Sequence, residues 1–272
     1  MSGSAHYQIH AFACSDVGRV RAGNEDSFFV ANLSEGVRIE KNGILRFPAG
    51  PLGSLFAVAD GMGGAAAGEM ASKLCLKTLY HEVQEQIQEA GQPDEGLLEE
   101  ILIEAVGTAN NRIYGLGSSN HEYAGMGTTL TTVLELDGGL LIGQVGDSRA
   151  YLLRQGQIRQ LTRDQSLVGQ KVSEGIITEE EARRHPERNI LLQAVGVRPA
   201  VELALKSVPL RLGDVLLLCS DGLHSQMSSR EIYEVIEDSS SPGDACLALV
   251  DLANERGGPD NITAVLVQFL PG

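Results

Sequence analysis

Six acidic residues lie at the ends of apolar runs, where their side chains could bind metal ions. Asp60, Asp147 and Asp221 close the runs at 53–60, 139–147 and 214–221, and Glu25, Asp26 and Asp260 stand at the start of the runs at 26–32 and 261–270. In an antiparallel sheet, the end of one strand lies beside the start of its neighbour. We therefore expect these carboxylates to converge on one edge of a sheet.

Clustered carboxylates repel one another unless they are protonated or bridged by cations. No His or Cys cluster accompanies them in the sequence, and a ligand set made only of oxygen suits Mg²⁺ or Mn²⁺ better than Zn²⁺. Two such ions about 3.5–4 Å apart can share a water molecule, lower its pKa and direct it at a phosphorus atom. One Asp-Gly pair is typical of an ordinary turn, but three acids at the ends of buried runs favour a metal site.

The runs that carry these acids belong to a longer series of predicted strands. Strands are predicted at 26–32, 53–60, 127–136, 139–147, 149–154, 157–162, 201–208, 214–221 and 261–270. The short turns Asp137-Gly138-Gly139 and Gln155-Gly156 predict antiparallel hairpins. Helical periodicity is present at 66–89, 97–115, 228–238 and 241–258. This order predicts one α+β domain over residues 1–272, built on antiparallel sheet.

The segment 164–198 interrupts the strand series and contains a local basic cluster. Thr178 is placed to cap a helix that begins at EEEARR (179–184), and the cluster consists of Arg183, Arg184, His185 and Arg188. In an acidic protein, such a cluster is either a solvated helix end or a contact for a phosphorylated substrate. The sequence leaves both interpretations open.

The overall charge is strongly negative, which limits the classes of partner. The chain has 36 acidic and 21 basic residues and a net charge of −15. Because no extended basic patch is visible, we do not expect nucleic-acid binding. No apolar stretch approaches the roughly 20 residues of a membrane span, and residues 1–10 have no signal-peptide pattern. The four cysteines lack metal-ligand or redox spacing, so we expect free thiols in a cytoplasmic protein that does not bind membranes.

Seven ordered segments of the chain resemble one known family. They are SDVGRVRAGNEDSFF (15–29), FAVADGMGGAAAGE (56–69), GMGTTLTTV (125–133), GQVGDSRAYLL (143–153), LTRDQS (161–166), LLLCSDGL (216–223) and GGPDNITAVLV (257–267). Together they are similar to the metal-dependent type 2C Ser/Thr protein phosphatases in their compact bacterial form. The resemblance implies a four-layer αββα sandwich, in which helices flank two central antiparallel sheets and a flap at about 164–198 lies beside the active site.

The resemblance also implies a ligand set for two Mn²⁺ or Mg²⁺ ions. Asp60 matches the aspartate that bridges both ions, and the carbonyl group of Gly61 matches a ligand of one of them. Asp221 and Asp260 match ligands of the other ion. The implied reaction is in-line attack on phosphoserine or phosphothreonine by a hydroxide that bridges the ions, without a phosphoenzyme.

Three further residues match positions around that centre. Glu25 and Asp26 match acids that hold metal-bound water, and Arg21 matches the arginine that clamps the substrate phosphate through two hydrogen bonds. Asp147, in GDSRAY, looks structural and is expected to hold loops rather than a metal ion.

The chain departs from the family pattern at several positions. Met62 and Ala65 stand where some members have histidines, so we expect water or another group to protonate the leaving group. Only Asn120 and Glu122 precede GMGTT where bacterial members have a third-metal aspartate, so we expect a weak or altered third site. His224 is interpreted as either a loop residue or a substrate contact.

Two other classes of function remain as alternatives. The first is a catalytically inactive regulator that binds phosphoproteins on the same fold, and the second is a nucleotide-binding enzyme suggested by GMGG and GLGSS. Neither glycine run is followed by the residues of a phosphate-binding loop, and an inactive regulator would not need a repelling acid cluster. For the phosphatase, the resemblance implies phosphorylated proteins, among them a Ser/Thr kinase and its targets, as partners, and we expect a monomer.

Overall fold

The computed structural model describes residues 7–91 and 93–272, and the side chain of Ala65 lies outside the described part. The prediction that residues 1–10 have no signal-peptide pattern falls mostly on residues 1–6, which also lie outside it. The strands are β1 (Tyr7–Asp16), β2 (Ser27–Asn32), β3 (Val37–Ile39), β4 (Gly43–Pro48), β5 (Ser54–Ala59), β6 (Gly61–Met62), β7 (Gly127–Thr128), β8 (Leu130–Leu136), β9 (Gly139–Val145), β10 (Arg149–Arg154), β11 (Gln157–Gln160), β12 (Ala204–Pro209), β13 (Val215–Cys219) and β14 (Ile262–Pro271). The helices are α1 (Ala65–Ala90), α2 (Glu95–Ser119), α3 (Leu167–Ser173), α4 (Glu179–Arg184), α5 (Asp221–His224), α6 (Ser229–Asp238) and α7 (Pro242–Glu255).

Two six-stranded antiparallel sheets form the centre of the molecule. The first sheet has the order β11-β10-β13-β14-β1-β4, and the second has the order β12-β9-β8-β5-β2-β3. Helices α1 and α2 cover the outer face of the second sheet, whereas α5, α6 and α7 cover the outer face of the first. A third cluster of apolar side chains fills the space between the sheets. The predicted four-layer αββα fold is confirmed.

The position of strand β5 in the middle of the fold explains why residues 55–59 are all apolar. Leu55 and Ala57 belong to the cluster under α1 and α2, whereas Phe56 and Val58 face the other sheet. Because alternate side chains of a strand point to opposite faces, a strand in the middle of four layers must be apolar on both. The strand therefore holds its C-terminal end rigidly.

The pairing of the strands brings the acidic positions to one edge of the sandwich. In the second sheet, Ala59 at the end of β5 pairs with Ser27 at the start of β2. In the first sheet, Cys219 at the end of β13 pairs with Ala264 near the start of β14. The residues just beyond these pairs carry the candidate carboxylates. The expected convergence of strand ends is thus present in both sheets.

The nine predicted strand segments and the five predicted helices, including the one that begins at EEEARR, are present, but the sequence analysis missed β1, β3, β4, β6 and α5. β1 alternates buried residues such as Ile9 with partly exposed polar residues such as His10, because one of its faces is less covered. Both predicted hairpins form, with positive φ angles at Asp137 and Gln155 and at the glycines that follow them. The segment 164–198 contains α3 and α4, and its role as a flap and the one-domain assignment remain predictions. None of the helices within residues 7–91 and 93–272 has the length and hydrophobicity to cross a bilayer.

Candidate active site

The backbone of Asp60 is fixed by two threonines of the GMGTT segment. The amide of Asp60 donates to Oγ1 of Thr129 at 3.0 Å, and the amide of Thr129 donates to the carbonyl oxygen of Asp60 at 2.9 Å. Oγ1 of Thr128 donates to the same carbonyl oxygen at 2.9 Å. Asp60 is therefore held in place just beyond β5 with its carboxylate free of these backbone contacts.

Glycines are required where α1 approaches this turn. A Cβ atom on Gly61 would overlap the carbonyl oxygen of Gly68, and a Cβ atom on Gly68 would overlap the Glu25 carboxylate. The Asp60-Gly61 pair is therefore not an ordinary turn. The small residues let the first turn of α1 pack directly against the acids.

Asp26 is buried at the start of β2 with one carboxylate oxygen satisfied and the other not. Its Oδ2 accepts hydrogen bonds from Ser220 at 2.7 Å and from Thr263 at 2.6 Å. Its Oδ1 is buried and has no hydrogen-bond partner. Burial is the main reason that the pKa of Asp26 is raised to about 7; the two hydroxyl donors oppose the rise and the charge of Asp221 adds to it. The unpartnered oxygen is available to a cation or to water bound to one.

Asp221 does not end a strand as predicted; it is the first residue of α5, because β13 stops at Cys219. Its Oδ1 is also buried without a hydrogen-bond partner. Burial, and then the charge of Asp260, raises the pKa of Asp221 to about 6. A Cβ atom on Gly222 would overlap the carbonyl oxygen of Asn261, so a glycine is again required where two backbones meet behind the acids.

Asn261 holds the loop that carries the candidate phosphate-binding arginine. Its Nδ2 donates to the carbonyl oxygens of Val17 and Gly23, each at 2.9 Å, and its Oδ1 accepts from the amide of Glu25 at 2.8 Å. The Arg21 side chain in that loop is 45% exposed and donates to Oδ2 of Asp260 at 2.7 Å. The loop therefore places a solvent-accessible guanidinium group beside the acids.

The carboxylates repel one another electrostatically. Burial raises the pKa of Asp60 well above its usual value, and the charges of Asp26 and Asp221 raise it further. Burial also raises the pKa of Glu25, although Arg21 opposes the change. Such a cluster binds cations readily because bound positive charge removes the repulsion.

The donor set fits hard divalent cations. It consists of carboxylate oxygens, two of them buried without partners, at Asp26 and Asp221, and Mg²⁺ and Mn²⁺ prefer such ligands. Within residues 7–91 and 93–272, no three His, Cys, Asp or Glu side chains close around a single point as a finished metal cage. In this structure, hydrogen bonds from Ser220, Thr263 and Arg21 hold the acids instead.

A cavity of about 660 Å³ joins the acids to the predicted flap. Its walls include Arg21, Asp221 and Asp260 from the acidic edge, and Arg183, Arg184 and Arg188 from the flap. The charge of Arg188 opposes the rise in the pKa of Asp221 that burial causes, so this guanidinium group acts on the acids through space. The Arg184 side chain is 81% exposed and pairs with Glu180 at 3.3 Å.

His224 does not lie in an exposed loop, which was one of its two interpretations. It belongs to α5 and is 7% exposed, and its Nε2–H group donates to the carbonyl oxygen of Asp147 at 3.0 Å. Burial, and then the charge of Arg149, lowers the pKa of His224 to about 3, so the ring is neutral. The histidine lines the cavity and ties α5 to the loop of Asp147.

The candidate third-metal residues lie elsewhere on the surface. Oδ1 of Asn120 accepts from the amide of Glu122 at 3.0 Å and thereby caps the 3-10 helix His121–Tyr123. Neither residue lines the main cavity. Met62 is half-buried in β6, and the side chain of Ala65 lies outside the described part. Whether a third ion binds near Asn120 stays a prediction.

Comparisons with known proteins show the family to which the chain belongs. Residues 46–261 match the protein phosphatase 2C family model. The chain belongs to the protein phosphatase 2C family. The Ser/Thr phosphatase stp of Listeria monocytogenes is 36% identical over 96% of each chain. The solved Ser/Thr phosphatase of S. agalactiae is 33% identical, with a TM-score of 0.83, over 96% of this chain and 99% of that one.

A further solved structure includes metal ions. The catalytic domain of PstP, determined with two manganese ions, is 36% identical with a TM-score of 0.77, over 97% of this phosphatase and 99% of that chain. The predicted family and the class of enzyme, a metal-dependent phosphoprotein phosphatase, are confirmed. The nucleotide-binding alternative was wrong.

Several residues of the phosphatase that position the acids were missed in the sequence. Ser220 and Thr263 hold Asp26, Thr129 holds Asp60, and Asn261 holds the Arg21 loop. Thr129 has no acid near it in the sequence, whereas Ser220, Asn261 and Thr263 lie within three positions of Asp221 or Asp260. The nearness of these three residues to those acids along the chain was a usable signal, but their partners are distant in sequence and only the fold reveals them.

Proposed function

We propose that this phosphatase hydrolyses phosphoserine and phosphothreonine in proteins with two Mn²⁺ or Mg²⁺ ions at the acidic edge. Asp60, the carbonyl group of Gly61, Asp221 and Asp260 would hold the ions. When bound, the two ions supply a hydroxide for in-line attack on phosphorus at neutral pH and offset the charge of the phosphate. The observation that carries the proposal is the pair of buried, unpartnered oxygens on Asp26 and Asp221 in a chain of this family.

The residues of the chain supply orientation and charge around that centre. Arg21 is exposed enough to leave Asp260 and grip two phosphate oxygens, and its loop is already held by Asn261. Glu25 and Asp26 would orient water on the ions through carboxylate oxygens. Met62 has no proton to donate, so we propose that water in the cavity protonates the leaving oxygen.

The flap arginines extend the positive charge away from the acids along the same cavity. Arg188 lies near enough to affect Asp221 electrostatically, and Arg183 and Arg184 line the wall beyond it. We propose that these residues contact the protein chain around the phosphorylated residue. In that case, Arg188→Glu would lower kcat/KM by different factors for different phosphopeptides. Equal kcat/KM values for the wild type and Arg188→Glu would contradict this role of the flap arginines.

The central proposal is tested by p-nitrophenyl phosphate hydrolysis. We expect activity with Mn²⁺, loss of activity with EDTA, recovery when Mn²⁺ is added back, and loss of at least about 100-fold in Asp221→Asn. Asp244→Asn is the matched control, because Asp244 is an exposed residue in the first turn of α7 and its substitution should leave turnover unchanged. Turnover that survives EDTA or the Asp221 substitution would contradict the two-ion site.

The turnover assay and a metal titration address the two remaining questions about the site, which are the inactive-regulator alternative and the third metal ion. An inactive phosphoprotein-binding regulator would show no turnover under any metal condition. A third metal site would appear as a third equivalent in metal titration. We expect no tight third ion, because the carboxamide of Asn120 already caps a helix, and a third equivalent lost in Asn120→Ala would overturn that expectation.

A further inference from the structure

A second cavity lies on the other side of the loop that carries Arg21. It has a volume of about 760 Å³ and is lined at one end by Asn24 and Asp26, whereas Arg21 lines the catalytic cavity. Its other walls come from α1, from the connection between β3 and β4, and from residues of β1 and β2. The segment 21–26 therefore separates the two cavities, and a bound peptide could pass from one to the other over a few residues.

The second cavity collects most of the lysines of the protein. The chain has only five lysines, and Lys41, Lys73 and Lys77 all line this cavity. Lys73 and Lys77 are four residues apart on α1, so their side chains project from one face of the helix. Lys41 reaches the cavity from the turn between β3 and β4. Four basic side chains and two acidic ones, Asp26 and Glu40, line this cavity, so it is net positive in a protein with a net charge of −15.

Much of this positive charge is not neutralised within the fold. Among residues 7–91 and 93–272, Lys41 and Lys77 form no ion pair, whereas Lys73 pairs with Glu69 at 2.5 Å. Arg38 also lines the cavity and pairs with Glu40 at 2.8 Å. Its Nη1 nevertheless remains buried without a hydrogen-bond partner. The cavity can therefore bind a negatively charged group, which the net negative charge of the protein would repel elsewhere.

The size and walls of the cavity favour a peptide over a free ion. A volume of about 760 Å³ is in the range of cavities that hold drug-sized ligands, which leaves room for one or two acidic side chains of a peptide. Leu76 and Phe29 form the floor of the cavity but are only 4% and 1% exposed, so a ligand meets mainly the charged and polar side chains of the walls. The charged groups around the cavity select for carboxylates on that peptide.

We propose that this lysine cavity, formed by Arg38, Lys41, Lys73 and Lys77, docks an acidic segment of the phosphoprotein substrate. The inference rests on the proposed phosphatase function. The phosphorylated residue lies at Arg21, and aspartate or glutamate residues a few positions away cross the segment 21–26 and enter the lysine cavity. The lysine cavity thus selects substrates by the sequence next to the phosphate.

The test compares matched phosphopeptides. Each carries one phosphothreonine, flanked on the N-terminal or the C-terminal side by either three glutamates or three glutamines. We expect kcat/KM to be about tenfold higher for the glutamate version on one of the two sides. The preference should disappear in Lys41→Glu/Lys77→Glu and should shrink as salt is raised from 50 to 500 mM.

Arg159→Glu/Arg198→Glu is the matched control, because it makes the same change in net charge at two exposed arginines that line neither cavity. It should retain the preference. Hydrolysis of p-nitrophenyl phosphate should be equal in all three proteins. If the wild type does not hydrolyse that compound, the phosphatase proposal itself fails. If it does, but shows no glutamate preference or the lysine variant retains the preference, the docking proposal is overturned.

Discussion

Substitution of Glu135 with glutamine should stabilise the protein relative to the wild type, and the gain should be larger at neutral pH than at acidic pH. Glu135 is 1% exposed on β8 and accepts a hydrogen bond from the hydroxyl group of Tyr7. Its Oε2 is buried without a partner. Burial raises the pKa of Glu135 to about 7 from 4.5. Ionisation of the Glu135 carboxyl group is therefore unfavourable in the folded protein.

The sign and size of the effect follow from proton linkage. The unfolded chain releases the Glu135 proton near pH 4.5, whereas the folded protein retains it until about pH 7. The stability contributed by this proton is therefore fully present below pH 4.5 and is lost as the pH rises to 7. Raising a carboxyl pKa from 4.5 to 7 corresponds to about 3 kcal/mol of unfolding free energy. Glu135→Gln keeps the shape of the neutral acid and cannot ionise.

Urea unfolding at pH 5, 6, 7 and 8 measures the difference between the two proteins. We expect Glu135→Gln to exceed the wild type by about 3 kcal/mol at pH 8 and by less than about 1 kcal/mol at pH 5. Tyr7→Phe is the companion variant, because it removes the donor and leaves the acid; it should destabilise the protein, and more at pH 8. A difference between Glu135→Gln and the wild type that does not vary with pH would refute the reasoning.

The substitution should not alter catalysis, because Glu135 lies far from the acids. It pairs with Ser54 at the start of β5, and Asp60 follows the other end of that strand. Six residues of extended chain span about 20 Å. Equal rates of p-nitrophenyl phosphate hydrolysis by the wild type and Glu135→Gln would show that stability and activity are separable here.

Other substitutions test the packing that supports the site. Gly68→Ala should lower activity at least about tenfold, because the new methyl group displaces the Glu25 carboxylate; Gly107→Ala, which meets open space, should not. Arg154→Met should cost about 3 kcal/mol in urea unfolding, because it leaves Asp214 buried without its ion-pair partner; an unchanged midpoint would contradict this. All four cysteines are buried, and burial raises their thiol pKa values, so a thiol reagent should modify them only as fast as the protein unfolds.

Local signals in the sequence allowed the antiparallel strands and the edge with the acids to be predicted, whereas the division into two sheets was implied by the family resemblance. Strand β5 is apolar on both faces and ends in Asp60, and the hairpin turn at Asp137 forces its flanking strands to be antiparallel. Strands β1 and β4 were missed because their local signals are weaker than that of β5. β4 alternates exposed and less exposed residues, and its partner β1 is distant from most of the first sheet in sequence.

The contacts that orient the acids could not be predicted from the sequence, since each joins residues far apart in the chain. The hydroxyl group of Thr263 reaches Asp26 across 237 positions, and Nδ2 of Asn261 reaches Gly23 across 238. Local patterns identify a residue that can donate a hydrogen bond but not its acceptor. His224 shows the same limit, because its neutral, buried state depends on the carbonyl group of Asp147, 77 positions away.

The arrangement of these contacts explains how a protein can maintain a group of repelling acids. Hydroxyl and amide groups at the sheet edges hold the backbones and outer oxygens, as Ser220 and Thr263 do for Asp26. The inner oxygens of Asp26 and Asp221 have no such partner. Each buried, unpartnered oxygen lowers the free energy of unfolding. This loss of stability lasts until the oxygen binds a cation or a hydrogen-bond donor. A site held in this way is rigid before any ligand arrives, and the free energy of binding need not reorganise it.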